Sequence, residues 1–289
     1  MQASLSTQLL LPAVLGLIMF GMGLSLTRAD FIRLLSEPKV VMAGVIGQVI
    51  LLPVLALAVA KLTNLSPAMS VGLMILAACP GGTTSNIFSQ LSGANLALSV
   101  SLTAATTIIC VFTTPWLIEF SLTYFQLSQS VDFSLFTTSL SLLVIMLVPM
   151  TLGLYFRRRW ENAALRLIKP FQRLSLIFLV VMIISISVQE FETLKQALGS
   201  MFWSTVGLNV IAIIAGLLLA VAVKADRANS LTLGIEIGIQ NASLAILIAL
   251  TFLKESELAI PAGVYGVTMY LGTGVLLFFL GKDKNVSNN

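Results

Sequence analysis

Apolar runs of about 20 residues recur from one end of this 289-residue chain to the other, each long enough to cross a bilayer core of roughly 30 Å. In lipid every backbone polar group has to be satisfied within the protein. A chain built of such runs therefore folds as membrane-spanning helices. Composition agrees: 10% of the residues are charged and 57% hydrophobic, with mean hydropathy +1.01, where soluble domains carry roughly 25% charged residues. The expected fold class is an all-α polytopic membrane protein. The first run has no basic leader and continues through "GLIMFGMGLSL" without a small-residue cleavage site, so it reads as a retained helix rather than a signal peptide.

Hydropathy places about nine spans, near 5–26, 38–60, 67–91, 95–118, 133–156, 171–189, 201–223, 230–253 and 258–280. The loops are short, so residues 1–289 make a single membrane domain. Placing the N-terminus outside puts 13 of the 16 Lys and Arg in inside loops: Arg28, Arg33, Lys39, Arg157, Arg158, Arg159, Arg166, Lys169, Arg173, Lys224, Arg227, Lys282 and Lys284. Lys61, Lys195 and Lys254 fall outside. Cytoplasmic loops are the basic ones, so this asymmetry supports an odd number of spans with the N-terminus outside and the C-terminus cytoplasmic. It also accounts for the net charge of +4 without a nucleic-acid partner.

Cys79 and Cys110 lie within apolar spans and read as small buried hydrophobes. The chain has no histidine, which removes histidine-based metal sites and histidine bases. The spans hold one carboxylate and no lysine placed as a base, so hydrolytic catalysis is not expected and no catalytic residues are assigned. A ligand sensor is disfavoured by the lack of a soluble output domain.

Two spans break the apolar pattern. In "LMILAACPGGTTSNIFSQLSG" (73–93), Pro80 removes a backbone donor and clashes with the preceding turn. Gly81 and Gly82 permit an unwound backbone, and Thr83, Thr84, Ser85 or Asn86 can cap a new half-helix. In "LGIEIGIQNASLAILIAL" (233–250) Glu236 is the one acid of the twelve inside a span, with Gln240, Asn241 and Ser243 close by and Gly234 and Gly238 among them. An ionisable residue at the bilayer centre costs about 2.5–3.5 kcal/mol and usually marks an ion or substrate path. Interrupted helices at membrane depth are tolerated only where they are buried in protein or line a cavity.

The interrupted spans sit in matching places. With the fifth span (133–156) set aside as a link, 5–118 and 171–280 each hold four spans, the broken one third. The second group starts on the opposite side, so the repeats are inverted, a pattern that points to a transporter site. Gln48 and Asn209, in the second spans, correspond loosely. Sodium takes oxygen ligands. Ser85 and Asn86 offer them beside the first break, Ser99 and Thr103 share one face of the next helix, and Glu236 supplies the charge. For Ser99 and Thr103 alone, helix-packing hydroxyls are the alternative.

"ACPGGTTSN" and "EIGIQNASLA" strongly resemble the two signature stretches of the bile acid:sodium symporter family, and the resemblance covers nearly the whole chain. It implies an inverted-repeat fold in which two discontinuous helices cross in a core domain packed against a panel domain. It implies two sodium ions, one held by Ser85, Asn86, Ser99, Thr103 and Glu236. The other would be held by Gln48, Glu236 and Gln240 with the backbone near Ile237 and Ile239. The implied substrate is a small organic anion near Thr83 and Asn241. Nine spans resemble the animal members, where bacterial relatives commonly have ten. At Met269 and Tyr270 the chain departs from bile-salt-binding bacterial relatives, which carry a His-Asn pair, so a smaller carboxylate such as a keto acid is expected beside a bile-acid-like one.

The expected function is sodium-coupled symport of an organic anion by alternating access, in the cell membrane of a bacterium (the inner membrane). Proton-coupled symport or anion efflux, with Glu236 titrating, is the alternative. A monomer is compatible with this reading.

Overall fold

The computed structural model describes residues 5–131 and 133–280. Lys282, Lys284 and the C-terminus, which entered the charge asymmetry, lie outside the described residues. The described chain is helical almost throughout. In order come α1 (Leu5–Ser25), α2 (Arg28–Ser36), α3 (Pro38–Leu62), α4 (Pro67–Ala78), α5 (Thr84–Ser92) and α6 (Leu96–Tyr124). Then follow α7 (Leu135–Arg159), α8 (Glu161–Gln189), α9 (Phe191–Ala222), α10 (Arg227–Gly238), α11 (Ala242–Phe252) and α12 (Ile260–Leu280).

Among the described residues six helices are long and apolar enough to cross a membrane: α3, α6, α7, α8, α9 and the helix that contains α12. The pair α1 and α2, bent by 69°, makes up to seven. The spans expected at 67–91 and 230–253 are not continuous helices. Each is two short ones, α4 with α5 and α10 with α11. Hydropathy under-reads the true helix lengths elsewhere. α8 begins at Glu161 and α9 at Phe191, each ten residues ahead of its apolar span, because a helix continues into its polar flank where hydropathy stops counting.

The bend after α1 has a local cause. The Thr27 N–H and hydroxyl both donate to Asp30 Oδ2 at 2.7 Å. The carboxylate thus caps the first turn of α2 and starts a new axis there. Arg33 closes on the other oxygen of Asp30 at 3.2 Å.

The helices sort by packing. α1 lies against α7 and α8, while α9 packs on α10 and α12, and α4 on α3 and α6. The most deeply buried residues belong to the interrupted helices: from Leu231 to Ala249 each residue is buried. Exposed large apolar side chains instead crowd α7, α8 and α9, among them Leu152, Ile184 and Leu218. An outer surface of this kind is at home against lipid.

Candidate functional site

The two interruptions meet. Gly81 and Gln240 form an isolated antiparallel bridge. The Gly82 N–H donates to the Ile239 carbonyl at 3.1 Å and the Asn241 N–H to the Pro80 carbonyl at 3.0 Å. Each broken helix therefore supplies partners for the backbone that the other has freed. The remaining loose ends are caught by side chains. Thr114 donates to the Ala78 carbonyl at 2.6 Å. Asn209 Nδ2 and the Tyr265 hydroxyl converge on the Gly238 carbonyl at 2.8 and 2.9 Å. An unpaired backbone group at this depth would cost several kcal/mol, and here none of these is left over.

The approach is close enough to require glycine. A Cβ on Gly81 would stand 2.9 Å from Glu236 Oε2, and one on Gly82 would stand 2.8 Å from the Gln240 carbonyl oxygen. Pro80 needs no N–H at its position, since its carbonyl is what the bridge uses.

Capping of the half-helices differs between the breaks. At α11 the Asn241 side chain accepts from the Leu244 N–H at 3.1 Å, an ordinary N-cap. At α5 the expected capping side chain is missing: Thr83, the residue before the helix, makes no side-chain cap. The Ser85 N–H is taken by the Gly82 carbonyl at 3.0 Å. Ser85 and Asn86, offered by the sequence as caps, turn instead toward Glu236 and Ser99.

That turn assembles an oxygen cluster. Glu236 is 2% exposed. Ser85 Oγ donates to its Oε1 at 2.6 Å and Thr103 Oγ1 to its Oε2 at 2.9 Å. Ser99 Oγ also reaches Oε1, and lies 2.9 Å from Asn86 Oδ1. Three hydroxyls from α5 and α6 thus meet the Glu236 carboxylate of α10, with Asn86 one hydrogen bond further out at Ser99. Ser89 was not foreseen; its hydroxyl donates to Ser99 Oγ at 3.2 Å. Its signal was present, four residues after Ser85 on the same helical face.

The second expected set is also together. Gln48, in a π-helical turn (Gly47–Leu51) of α3, donates to Gln240 Oε1 at 2.8 Å. With its amide turned over, Gln48 accepts from the Gly81 N–H at 2.9 Å and donates to the Glu236 carbonyl at 3.0 Å, which suits its neighbours better. Gln240 Nε2 donates to the Ile237 carbonyl at 2.9 Å. The Ile237 and Ile239 carbonyls each hold one hydrogen bond here and retain a second lone pair. Gln48 and Asn209, loosely matched in sequence, both serve the second break, at Gln240 and at Gly238.

The chemistry of this donor set fits a cation. Among the described residues the ion pairs are Arg33–Asp30 and Arg157–Glu161, so Glu236 has no protein cation. Its hydroxyl neighbours are shared donors: the one proton of Ser99 faces both Asn86 and Glu236, and that of Thr103 both the Ser99 carbonyl and Glu236. A buried carboxylate without a positive partner is costly. Hard oxygen ligands of this kind suit sodium rather than a transition metal.

Thr83, Asn241, Met269 and Tyr270, the expected substrate residues, line one small pocket beside the crossing, with Thr84, Ser243 and Ser175 of α8. Tyr270 stacks on Phe88, ring centres 5.5 Å apart, and its hydroxyl lies 3.4 Å from Thr84 Oγ1. A second pocket approaches the oxygen cluster from the other side, at Asn86 and Thr103, bounded by Ile18 and Met22 of α1 and Phe171 and Gln172 of α8.

Comparison with known proteins places the chain in a family. Residues 12–197 match the family model described as the Sodium Bile acid symporter family. The chain belongs to that family. It is 32% identical over 270 residues to an uncharacterized sodium-dependent transporter, YocS, of Bacillus subtilis, covering 93% of this chain and 82% of that protein. It is 30% identical over 265 residues to a probable chloroplastic sodium/metabolite cotransporter, BASS2, of rice, covering 92% of this chain and 62% of the rice protein. A human sodium-dependent organic anion transporter is 25% identical over 243 residues, covering 84% of this chain and 64% of the human one. The chain thus spans less than two thirds of the rice and human proteins just named. Membership of this sodium-dependent transporter family makes the protein a multi-pass membrane transporter.

Proposed function

We propose that the protein is a sodium-coupled symporter of a small organic anion, working by alternating access. The observation that carries this reading is Glu236. It is a buried carboxylate with no ion pair among the described residues, ringed by Ser85, Ser99 and Thr103 where two interrupted helices cross. One sodium ion would take Ser85, Asn86, Ser99, Thr103 and Glu236. A second would take Gln48, Gln240 and Glu236 with the carbonyls of Ile237 and Ile239. The first ion would draw α5, α6 and α10 onto one another and the second would tie α3 to α10 and its break, so sodium would order the crossing.

The anion would sit in the pocket of Thr83, Asn241, Met269 and Tyr270, facing the first turns of α5 and α11. Helix N-termini present free N–H groups and a positive dipole end, which suits a carboxylate. Tyr270 stacked on Phe88 narrows this pocket, which favours a small carboxylate over a sterol-sized one. Because the crossing joins the two sites, sodium raises the affinity for the anion and the anion that for sodium, a reciprocal coupling.

Counting each interrupted pair as one crossing, and α1 with α2 as one, gives nine spans in this reading. Residues 5–118 and 171–280 form inverted repeats around the linking helix of 133–156. The panel is α1, α7 and α8, and the remaining helices form the core that moves against it. The arginine-rich end faces the cytoplasm, with the N-terminus outside, in a bacterial inner membrane.

The test is thermal stability in sodium and in potassium, followed by uptake into proteoliposomes. A ligand that binds the folded state alone raises the melting temperature by mass action. Sodium should raise it for the wild type and not for Glu236→Gln. A sodium gradient, and not a potassium one, should drive uptake of a labelled small keto acid such as pyruvate or a longer homologue. Sodium-independent uptake at fixed pH by the wild type, or wild-type transport by Glu236→Gln, would refute the proposal.

A further inference from the structure

Away from the crossing, a cavity of about 540 Å³ opens at the arginine-rich end, between the α1–α2 bend and the junction of α7 with α8. Leu26, Thr27 and Arg28 form one wall, and Leu154, Tyr155, Arg157 and Arg158 the other. Three guanidinium groups therefore border one space. Glu161 is the acid that borders it with them, 3.3 Å from Arg157 Nη2, and its own side chain is 70% exposed. Arg28 and Arg158 make no ion pair among the described residues.

Arg157 is the informative member. Its side chain is only 14% exposed, and Nη1 is buried with no hydrogen-bond partner. Burying a donor of a charged group unpaired costs about 1–3 kcal/mol or more. If the arginines acted solely to set topology, exposure would serve that role better than burial. A guanidinium presents paired donors that match phosphate oxygens.

The surroundings place this cavity at headgroup level. Tyr155 and, at the α7–α8 junction, Trp160 are large aromatics exposed by 62% and 50%. Such residues gather at membrane interfaces. Val148, Leu152 and Tyr155 leave an exposed apolar strip running along α7 to the cavity, a surface on which an acyl chain can lie. We infer that this cavity binds the phosphate group of an anionic phospholipid, through Arg28, Arg157 and Arg158. The inference does not depend on the sodium site. Basic pockets between membrane helices are known to suit such headgroups.

The experiment measures melting temperature in detergent with added phosphatidylglycerol, phosphatidylcholine or inorganic phosphate, for wild type, Arg157→Gln and the double variant Arg28→Gln/Arg158→Gln. Arg28 and Arg158 are exposed, so the double variant should fold even where Arg157→Gln does not. Phosphatidylglycerol should stabilise the wild type by several degrees more than phosphatidylcholine, and the double variant should lose most of that difference. Its stabilisation by sodium should remain, which separates this cavity from the transport site. Inorganic phosphate giving the same shift, lost in the same variant, would retain the phosphate site and identify its occupant as a soluble phosphate. An unchanged lipid preference in the double variant, with no response to phosphate, would overturn the inference.

Discussion

Gly81 pairs with Gln240 across the point where the two interrupted helices meet. The same glycine leaves 2.9 Å between its absent Cβ and Glu236 Oε2. Backbone pairing and the proposed ion site therefore share one residue. Gly81→Ala should force the strands of the bridge apart or displace the carboxylate. Overpacking costs about 1–3 kcal/mol, and displacement of the carboxylate should weaken sodium binding at least tenfold. Sodium titration of the melting temperature checks both, since a lower melting point in potassium and a flatter response to sodium are separable readouts.

The oxygen cluster should behave as a unit. Ser85→Ala and Thr103→Val each remove one hydroxyl from Glu236, and each should reduce sodium affinity about five- to twentyfold. That range corresponds to roughly 1–2 kcal/mol, ordinary for a hydrogen bond to a charged group. The double variant should lose less than the product of the two, because the groups share one carboxylate. Ser101→Ala is the control. Its hydroxyl serves only the Ala97 carbonyl one turn back, so sodium affinity should not move.

Much of this cluster is legible in the sequence. A lone acid in an apolar span, hydroxyls four residues apart on one helix, and a Pro-Gly-Gly break are all local patterns, and local patterns survive in sequence. What was not legible is who satisfies whom. Nothing in "ACPGG" says that the Pro80 carbonyl is answered by Asn241, or that Thr114 reaches the Ala78 carbonyl, because those contacts join distant segments. The expected cap on α5 failed for a related reason. Ser85 and Asn86 have a better use at Glu236 and Ser99 than at their own helix end. The bend at Thr27 was missed although Asp30 lies three residues on, the spacing of a capping pair. Hydropathy averages over such a polar pair.

The Gly238 carbonyl offers a test of the crossing that leaves the ion ligands untouched. Asn209 and Tyr265 both donate to it, and Tyr265 is wholly buried. Tyr265→Phe should cost about 0.5–1.5 kcal/mol of stability. Asn209→Ala should cost more, because it also opens space beside Gly272, whose absent Cβ would overlap Asn209 Oδ1 at 2.0 Å. In both variants sodium should still stabilise the protein. A variant with wild-type stability would show that the carbonyl is satisfied without these groups.

Tyr270 separates anion from ion. It lines the pocket of Thr83, Asn241 and Met269 but touches none of the oxygen cluster. Tyr270→Ala removes the ring stacked on Phe88 and widens the pocket. Lost positioning of a small substrate should raise its KM about tenfold or more, which is roughly 1.4 kcal/mol of binding. The sodium-dependent rise in melting temperature should stay within a degree or so of wild type. Larger carboxylates, excluded by the ring, should become better competitors of uptake. If Tyr270→Ala instead abolished the sodium response and left the KM alone, the ring would belong to the ordering of α5 and not to the anion site. The assignment of this pocket to the substrate would then fail, while Glu236 and its hydroxyls would stand.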